Sequence, residues 1–166
     1  MIYNREIYAY LSEQLKKDEG YKRLNIKSIG IGPGSILPAP GQDAGGLKEL
    51  FPLVHLTESP SGSYIDATDE QSQKQNYYIR VKYYTIIQGS SRIINTMTAG
   101  LDTLMEALKP HISLGDMNLK NASPLWMWFT GKFMLFDEAE SMIAKDTGHY
   151  LCCGWFEIKI SINYQM

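Results

Sequence analysis

The chain has 166 residues, 44% of them hydrophobic and 20% charged, which is the balance of one globular domain with a sizeable core. A net charge of −2 gives no concentrated basic face for nucleic acid, and no apolar run is long enough for a membrane-spanning helix. Asn4, Arg5, Glu6, Ser12, Glu13 and Gln14 break up the N-terminal segment, so it lacks the apolar core of a signal peptide and the chain is expected to stay in a cytoplasm.

Residues 2–18 predict an amphipathic helix. Tyr3, Ile7, Leu11 and Leu15 recur every four residues with Tyr10 beside them, and Arg5, Glu6, Glu13, Lys16 and Lys17 take the other face. Gly20 reads as its stop. A short strand fits near residues 24–29. Residues 28–46 are expected to be a Gly/Pro-rich loop, because six glycines and three prolines between Gly30 and Gly46 oppose regular structure. Loops this long are usually functional or disordered, and Ile36 and Leu37 are candidates to dock on a partner.

Residues 51–57 are short and apolar and predict a strand, with Pro52 at its start or on an edge because proline cannot donate to a ladder. Residues 58–75 are polar and predict an exposed hairpin loop. Residues 76–88 predict a long strand. Tyr77, Ile79, Val81, Tyr83, Thr85 and Ile87 fall on one face, and Tyr78, Arg80, Lys82, Tyr84, Ile86 and Gln88 on the other. The second face is amphipathic, since tyrosines and basic stems cover apolar surface while keeping their tips in water. A neighbouring subunit could half-cover it.

Gly89 breaks the strand and Ser90 or Ser91 is placed to N-cap a helix that runs to Lys109. Ile93, Met97, Leu101, Leu104 and Leu108 form its core stripe, with Ile94 and Met105 alongside. Gly100 costs that helix roughly 1 kcal/mol against alanine, which implies close packing on the sheet. Pro110 ends it. Residues 111–124 read as loop with a short extended piece. Trp126, Trp128, Phe129, Phe133 and Phe136 mark a strand over residues 125–136, interrupted near Gly131. Residues 137–148 form an acidic connection in which 139–144 can extend a hairpin. The final strand runs from Tyr150 to Tyr164. Phe156, Ile158, Ile160, Ile162 and Tyr164 give it a dry face, and Trp155, Glu157, Lys159, Ser161 and Asn163 a mostly wet one. The expected fold is a single α+β domain over residues 1–166: a mainly antiparallel sheet of about four strands, two amphipathic helices packed on one face, and long loops.

No catalytic motif stands out. Gly30-Ile-Gly-Pro-Gly looks like a phosphate cradle, but Pro33 removes an amide donor, Ser35 stands where a third glycine belongs, and no helix follows. His149, Cys152 and Cys153 suggest a metal by composition only, since adjacent cysteines on a strand point to opposite faces. The same geometry opposes a bond between them, so free thiols are expected, one in the core and one half-exposed. His55 and His111 have no nucleophile placed beside them, and His111 can interact with the helix end. Asp66, Asp69, Glu70, Asp137, Glu138 and Glu140 read as solvated loop carboxylates. Asn121-Ala-Ser123 matches a glycosylation acceptor by letters alone. The sequence therefore predicts neither enzyme, cofactor nor metal site.

The layout resembles the tail terminator proteins of long-tailed bacteriophages. Four pieces carry the resemblance: the opening helix of residues 2–18; Phe51-Pro-Leu-Val-His-Leu followed by Tyr77-Tyr-Ile-Arg-Val-Lys-Tyr-Tyr-Thr-Ile-Ile; the helix of residues 93–108; and the closing Phe156-Glu-Ile-Lys-Ile-Ser-Ile. The Gly/Pro loop and the Trp-rich segment depart from that outline. The resemblance implies a virion protein of the tail or neck, assembled in the host cytoplasm as a homo-oligomeric ring, a hexamer, that caps the tail tube protein and meets the head–tail connector protein. Tyr78, Tyr84 and Trp126 are then expected to be partly exposed in the monomer and buried between subunits, with Ile36 and Leu37 as further contacts. Another phage neck or contractile-system assembly protein is the first alternative. A small ligand-binding domain or enzyme is a distant one.

Overall fold

β-branched and aromatic residues at alternate positions build the sheet, and leucines at helical spacing build the layer on top of it. A computed structural model describes residues 2–32, 50–59, 64–67, 72–109, 122–134, 142–144 and 149–165. The strands are β1 (Ser28–Ile31), β2 (Leu53–Glu58), β3 (Tyr64–Ala67), β4 (Ser72–Gln88), β5 (Ala122–Met134), β6 (Met142–Ala144) and β7 (His149–Gln165). The helices are α1 (Ile2–Lys17), α2 (Glu19–Arg23) and α3 (Ile93–Leu108).

The strand order is β1-β2-β4-β7-β5, with β3 added to β4 and β6 to β7. β1 runs parallel to β2 and every other pair is antiparallel. The α+β class therefore holds. The four expected strands (β2, β4, β5, β7) form the body of an open mixed sheet, and β1, β3 and β6 extend its margins. β4 and β7 pair over 17 residues each, from Ser72 opposite Gln165 to Gln88 opposite His149. The closing strand thus lies inside the sheet, paired with β4 on one side and β5 on the other.

One face of the sheet carries the main core. Tyr77, Ile79, Val81 and Tyr83 of β4, Phe156, Ile158, Ile160 and Ile162 of β7, and Val54 and Leu56 of β2 meet Ile7, Leu11 and Leu15 of α1 and Met97, Leu101, Leu104 and Leu108 of α3. Of the predicted stripe positions, Ile7, Tyr10, Leu11 and Leu15 of α1 and Met97, Leu101, Leu104 and Leu108 of α3 are buried, Ile93 and Met105 are partly buried, and Ile94 is corrected, being 59% exposed. Gly100 lies directly on Tyr83: a Cβ there would come within 2.9 Å of Cδ1 and 3.0 Å of Cζ, and closer still to Cε1. The glycine lets α3 rest on the sheet.

Several local expectations are corrected. Gly20 does not stop the first helix; α1 ends at Lys17 and Gly20 lies inside α2. The break comes from Asp18, whose backbone is extended and whose Oδ2 accepts from the Tyr21 amide at 2.9 Å. Asp18→Ala should therefore cost about 1 kcal/mol, the usual loss of an N-cap, read as a lower urea midpoint with an unchanged slope. Neither Ser90 nor Ser91 caps α3. A 3-10 turn at Ser90–Arg92 leads into it, and Arg92 occupies the cap position without a side-chain hydrogen bond. The 58–75 stretch is not all loop: Tyr64–Ala67 pairs with residues 73–76, and β4 starts at Ser72. Polar composition hid these strands, which are extended by their pairing partners rather than by apolar alternation. The short first strand lies at Ser28–Ile31, so the expected 28–46 loop does not begin before Gly32. Both Cys152 and Cys153 are free and buried, so neither is half-exposed.

Burial also disfavours the charged forms of several core groups. It pushes Tyr8 up to about 12, with the Glu58 charge adding to the shift. Tyr21 and the Cys152 thiol are raised by burial, as is Tyr83, against an opposing hydrogen bond from Thr85. All four shifts have the same sign. In the unfolded chain these groups ionise at their ordinary values, so their contribution is full below about pH 9 and is lost as pH rises toward about 12. The urea midpoint should fall between about pH 8 and about pH 11. An unchanged midpoint would mean that these groups ionise alike in both states.

Candidate functional site

The second face of the sheet holds the polar groups. Alternation turns Tyr78, Arg80, Lys82 and Tyr84 of β4 onto it, beside Trp155, Glu157, Lys159 and Ser161 of β7. Register decides which groups meet: Arg80 lies opposite Glu157, Lys82 opposite Trp155, and Tyr78 opposite Lys159.

At its centre is a buried ionic cluster. Glu157 is 3% exposed. Its Oε1 accepts from Ser59 Oγ at 2.6 Å and from an Arg80 guanidinium nitrogen at 3.2 Å. The guanidinium also lies over the Trp155 ring, 3.6 Å from its centroid. A planar, weakly hydrated cation suits such stacking, so carboxylate, arginine and indole form one unit. Arg80 Nε and Trp155 Nε1 are buried without a hydrogen-bond acceptor. Toward one end of the strands, Ser161 Oγ donates to Asn76 Oδ1 at 2.6 Å, and both residues are fully buried. Toward the other, Phe51, Leu53, Tyr84, Leu151 and Cys153 form a second, small apolar core.

The face expected to be mostly wet is therefore dry at Trp155, Glu157 and Ser161. Lys159 remains partly exposed, with its Nζ 5.7 Å from the centroid of the Tyr78 ring. Alternation shows that the two faces of a strand differ. It does not show whether the chain covers the more polar one.

The predicted site residues separate. Tyr78 is partly exposed on this face, as expected. Tyr84 is corrected: it is 2% exposed and packs in the small second core, so it is not partly exposed in the monomer. Trp126 lies in β5 with its backbone opposite Ser161. Ile36 and Leu37 lie outside the described residues. Arg80, Glu157, Ser59 and Trp155 were not singled out from sequence. The available signal was a lone acid and a lone arginine on the polar faces of the two best strands, but their pairing needed the register.

His55 is buried at 3% exposure, and its Nε2–H donates to the Gly32 carbonyl at 2.8 Å, tying the end of β1 to β2. Among the described residues, no group of three or more His, Cys, Asp or Glu side chains could hold a metal ion. Arg80 and Glu157 are paired with each other across β4 and β7.

No protein-family model matches the chain, and no curated protein matches it. Among solved structures the chain is similar to one titled "Virion of native gene transfer agent (GTA) particle", at 14% sequence identity and a TM-score of 0.45, over 91% of this chain and 91% of that one.

Proposed function

We propose that the chain is a structural protein of a phage-type virion and, more finely, a tail terminator that forms a ring on the finished tail tube and joins it to the head connector. One observation carries the reading: the element order. An amphipathic helix, a strand, a long strand, a second amphipathic helix and a closing strand pair follow in that order, with α1 and α3 packed on the same sheet face. That is the layout named in the sequence. The buried ion pair ties β4 to β7 across the middle of that sheet. Tyr78, Lys82 and Lys159 remain partly exposed on the second face and offer an aromatic and cationic surface to a neighbour.

A ring is built from heterologous contacts, one patch of each subunit meeting a different patch on the next. The test is light scattering across a concentration series, with negative-stain images of the same fractions. Six copies of an 18.8 kDa chain give about 113 kDa, and the expected species is a ring of that mass with a central hole. A chain that stays monomeric at every concentration and when mixed with tail tubes would overturn the ring. Binding to a head connector without any capping of tubes would instead favour a neck protein of another kind.

A further inference from the structure

We infer that the two edges of the sheet pair with each other between copies of this chain, β1 of one copy adding antiparallel to the 126–129 stretch of β5 in the next. The inference rests on the ring reading and names the contact that would build it.

β1 is a short edge strand of four residues. Natural edge strands carry charges, prolines or bulges that discourage a further strand. Ser28-Ile-Gly-Ile has none of these. The Gly32 amide donates to the Leu56 carbonyl at 3.0 Å, so in the parallel register alternation points the N–H and C=O of Ser28 and Gly30 at β2 and turns those of Ile29 and Ile31 away from it. Ser28 is exposed, and Ile31 is 49% exposed.

The opposite end of the sheet supplies a match. β5 pairs with β7 through two register shifts, between Pro124 and Trp126 and between Phe129 and Phe133. Between them Trp126, Met127, Trp128 and Phe129 stay in regular register with residues 158–161. This stretch has four residues, as β1 does, with no charge and no proline. Among the described residues no strand pairs with its far side. Direction also fits. β1 runs with β2, β2 against β4, β4 against β7 and β7 against β5, so β5 runs opposite to β1. A neighbouring copy that continues the sheet in the same orientation brings β1 to β5 antiparallel. Because the two edges differ, the contact is heterologous and repeats until a ring closes.

The test uses the full chain and Ile31→Pro, at an exposed position whose N–H faces away from β2. Proline is tolerated on an edge strand where the N–H faces outward, so the variant keeps the fold but loses the outward donor. Ring loss, with the circular dichroism spectrum and melting temperature of the wild-type monomer retained, is the expected result. Rings from Ile31→Pro like those of wild type would overturn the pairing alone, whereas a wild type that never assembles would overturn the ring reading as well. Should Ile31→Pro not fold, Ile31→Lys, which keeps the N–H and places a charge on the edge, reads the same contact. Cross-linking with a short bis-maleimide gives a second readout. The Ser28→Cys/Met127→Cys double variant should form a ladder of multiples and each single variant no more than a dimer. A double variant that stops at dimers would overturn the head-to-tail pairing.

Discussion

Glu157→Ala should lower stability by about 3 kcal/mol, near the lower end of what removing one partner of a buried ion pair costs. The carboxylate is 3% exposed and accepts from both Ser59 and Arg80. Its removal leaves a guanidinium over Trp155 with no counter-charge. The arginine side chain is 16% exposed, so water relieves part of the loss. For a domain of this size the change corresponds to a melting-temperature drop of roughly 6–12 °C. Glu157→Gln should cost less, because an amide oxygen still accepts from Ser59. The informative comparison is Arg80→Met/Glu157→Leu. Replacing both charges with apolar residues of similar volume removes the desolvation cost along with the attraction, so the double variant should be more stable than Glu157→Ala. Urea unfolding of the four proteins checks this order. If Glu157→Ala unfolds within about 0.5 kcal/mol of wild type, the cluster contributes little to the fold.

The second large effect is expected at Gly100. On an exposed helix Gly→Ala would stabilise by roughly 1 kcal/mol. Here the new methyl would overlap the Tyr83 ring, which is 4% exposed and enclosed by the main core. Overpacking of this kind costs about 1–3 kcal/mol. The contact is with a buried ring rather than with the far end of a flexible chain, so the steric cost should win. A net loss of about 1–2 kcal/mol is expected. Tyr83→Leu makes room, and the double variant with Gly100→Ala should be less destabilised than the sum of the single changes by at least about 0.5 kcal/mol. A more stable Gly100→Ala would show that the ring can move aside.

These two sites differ in how far the sequence revealed them. Gly100 was legible: a glycine in the middle of a leucine-rich helix needs a reason, and close approach to a sheet was the reason. The Tyr83 ring that it meets was not legible, because the contact joins a strand to a helix. The Arg80–Glu157 pair was harder still. Both residues sat on correctly assigned polar faces, but 77 positions separate them, and a shift of one residue in register would have put them on opposite faces. Tyr84 shows the reverse error. Its face was right and its exposure wrong, because Phe51, Leu53 and Leu151 close over that end of the sheet. The strand at Tyr64–Ala67 was missed for a related reason: pairing with β4 extends it, and its polar neighbours show no period of two.

By itself the sequence determined the period of each long element, and therefore which residues form the main core. Alternation over β4 and β7 and the four-residue stripe of α1 are local consequences of strand and helix geometry, so they can be read without knowing any neighbour. It also determined the α+β class, because two helical periods interleaved with strand periods leave few ways to bury the apolar faces. Tertiary structure alone decided the parallel placement of β1, the register of β4 on β7, and the burial of the more polar sheet face. Each of these depends on which distant segments meet, and backbone pairing is nearly indifferent to side-chain identity. The choice among registers is made only when whole faces are buried together, at a range that no local pattern encodes.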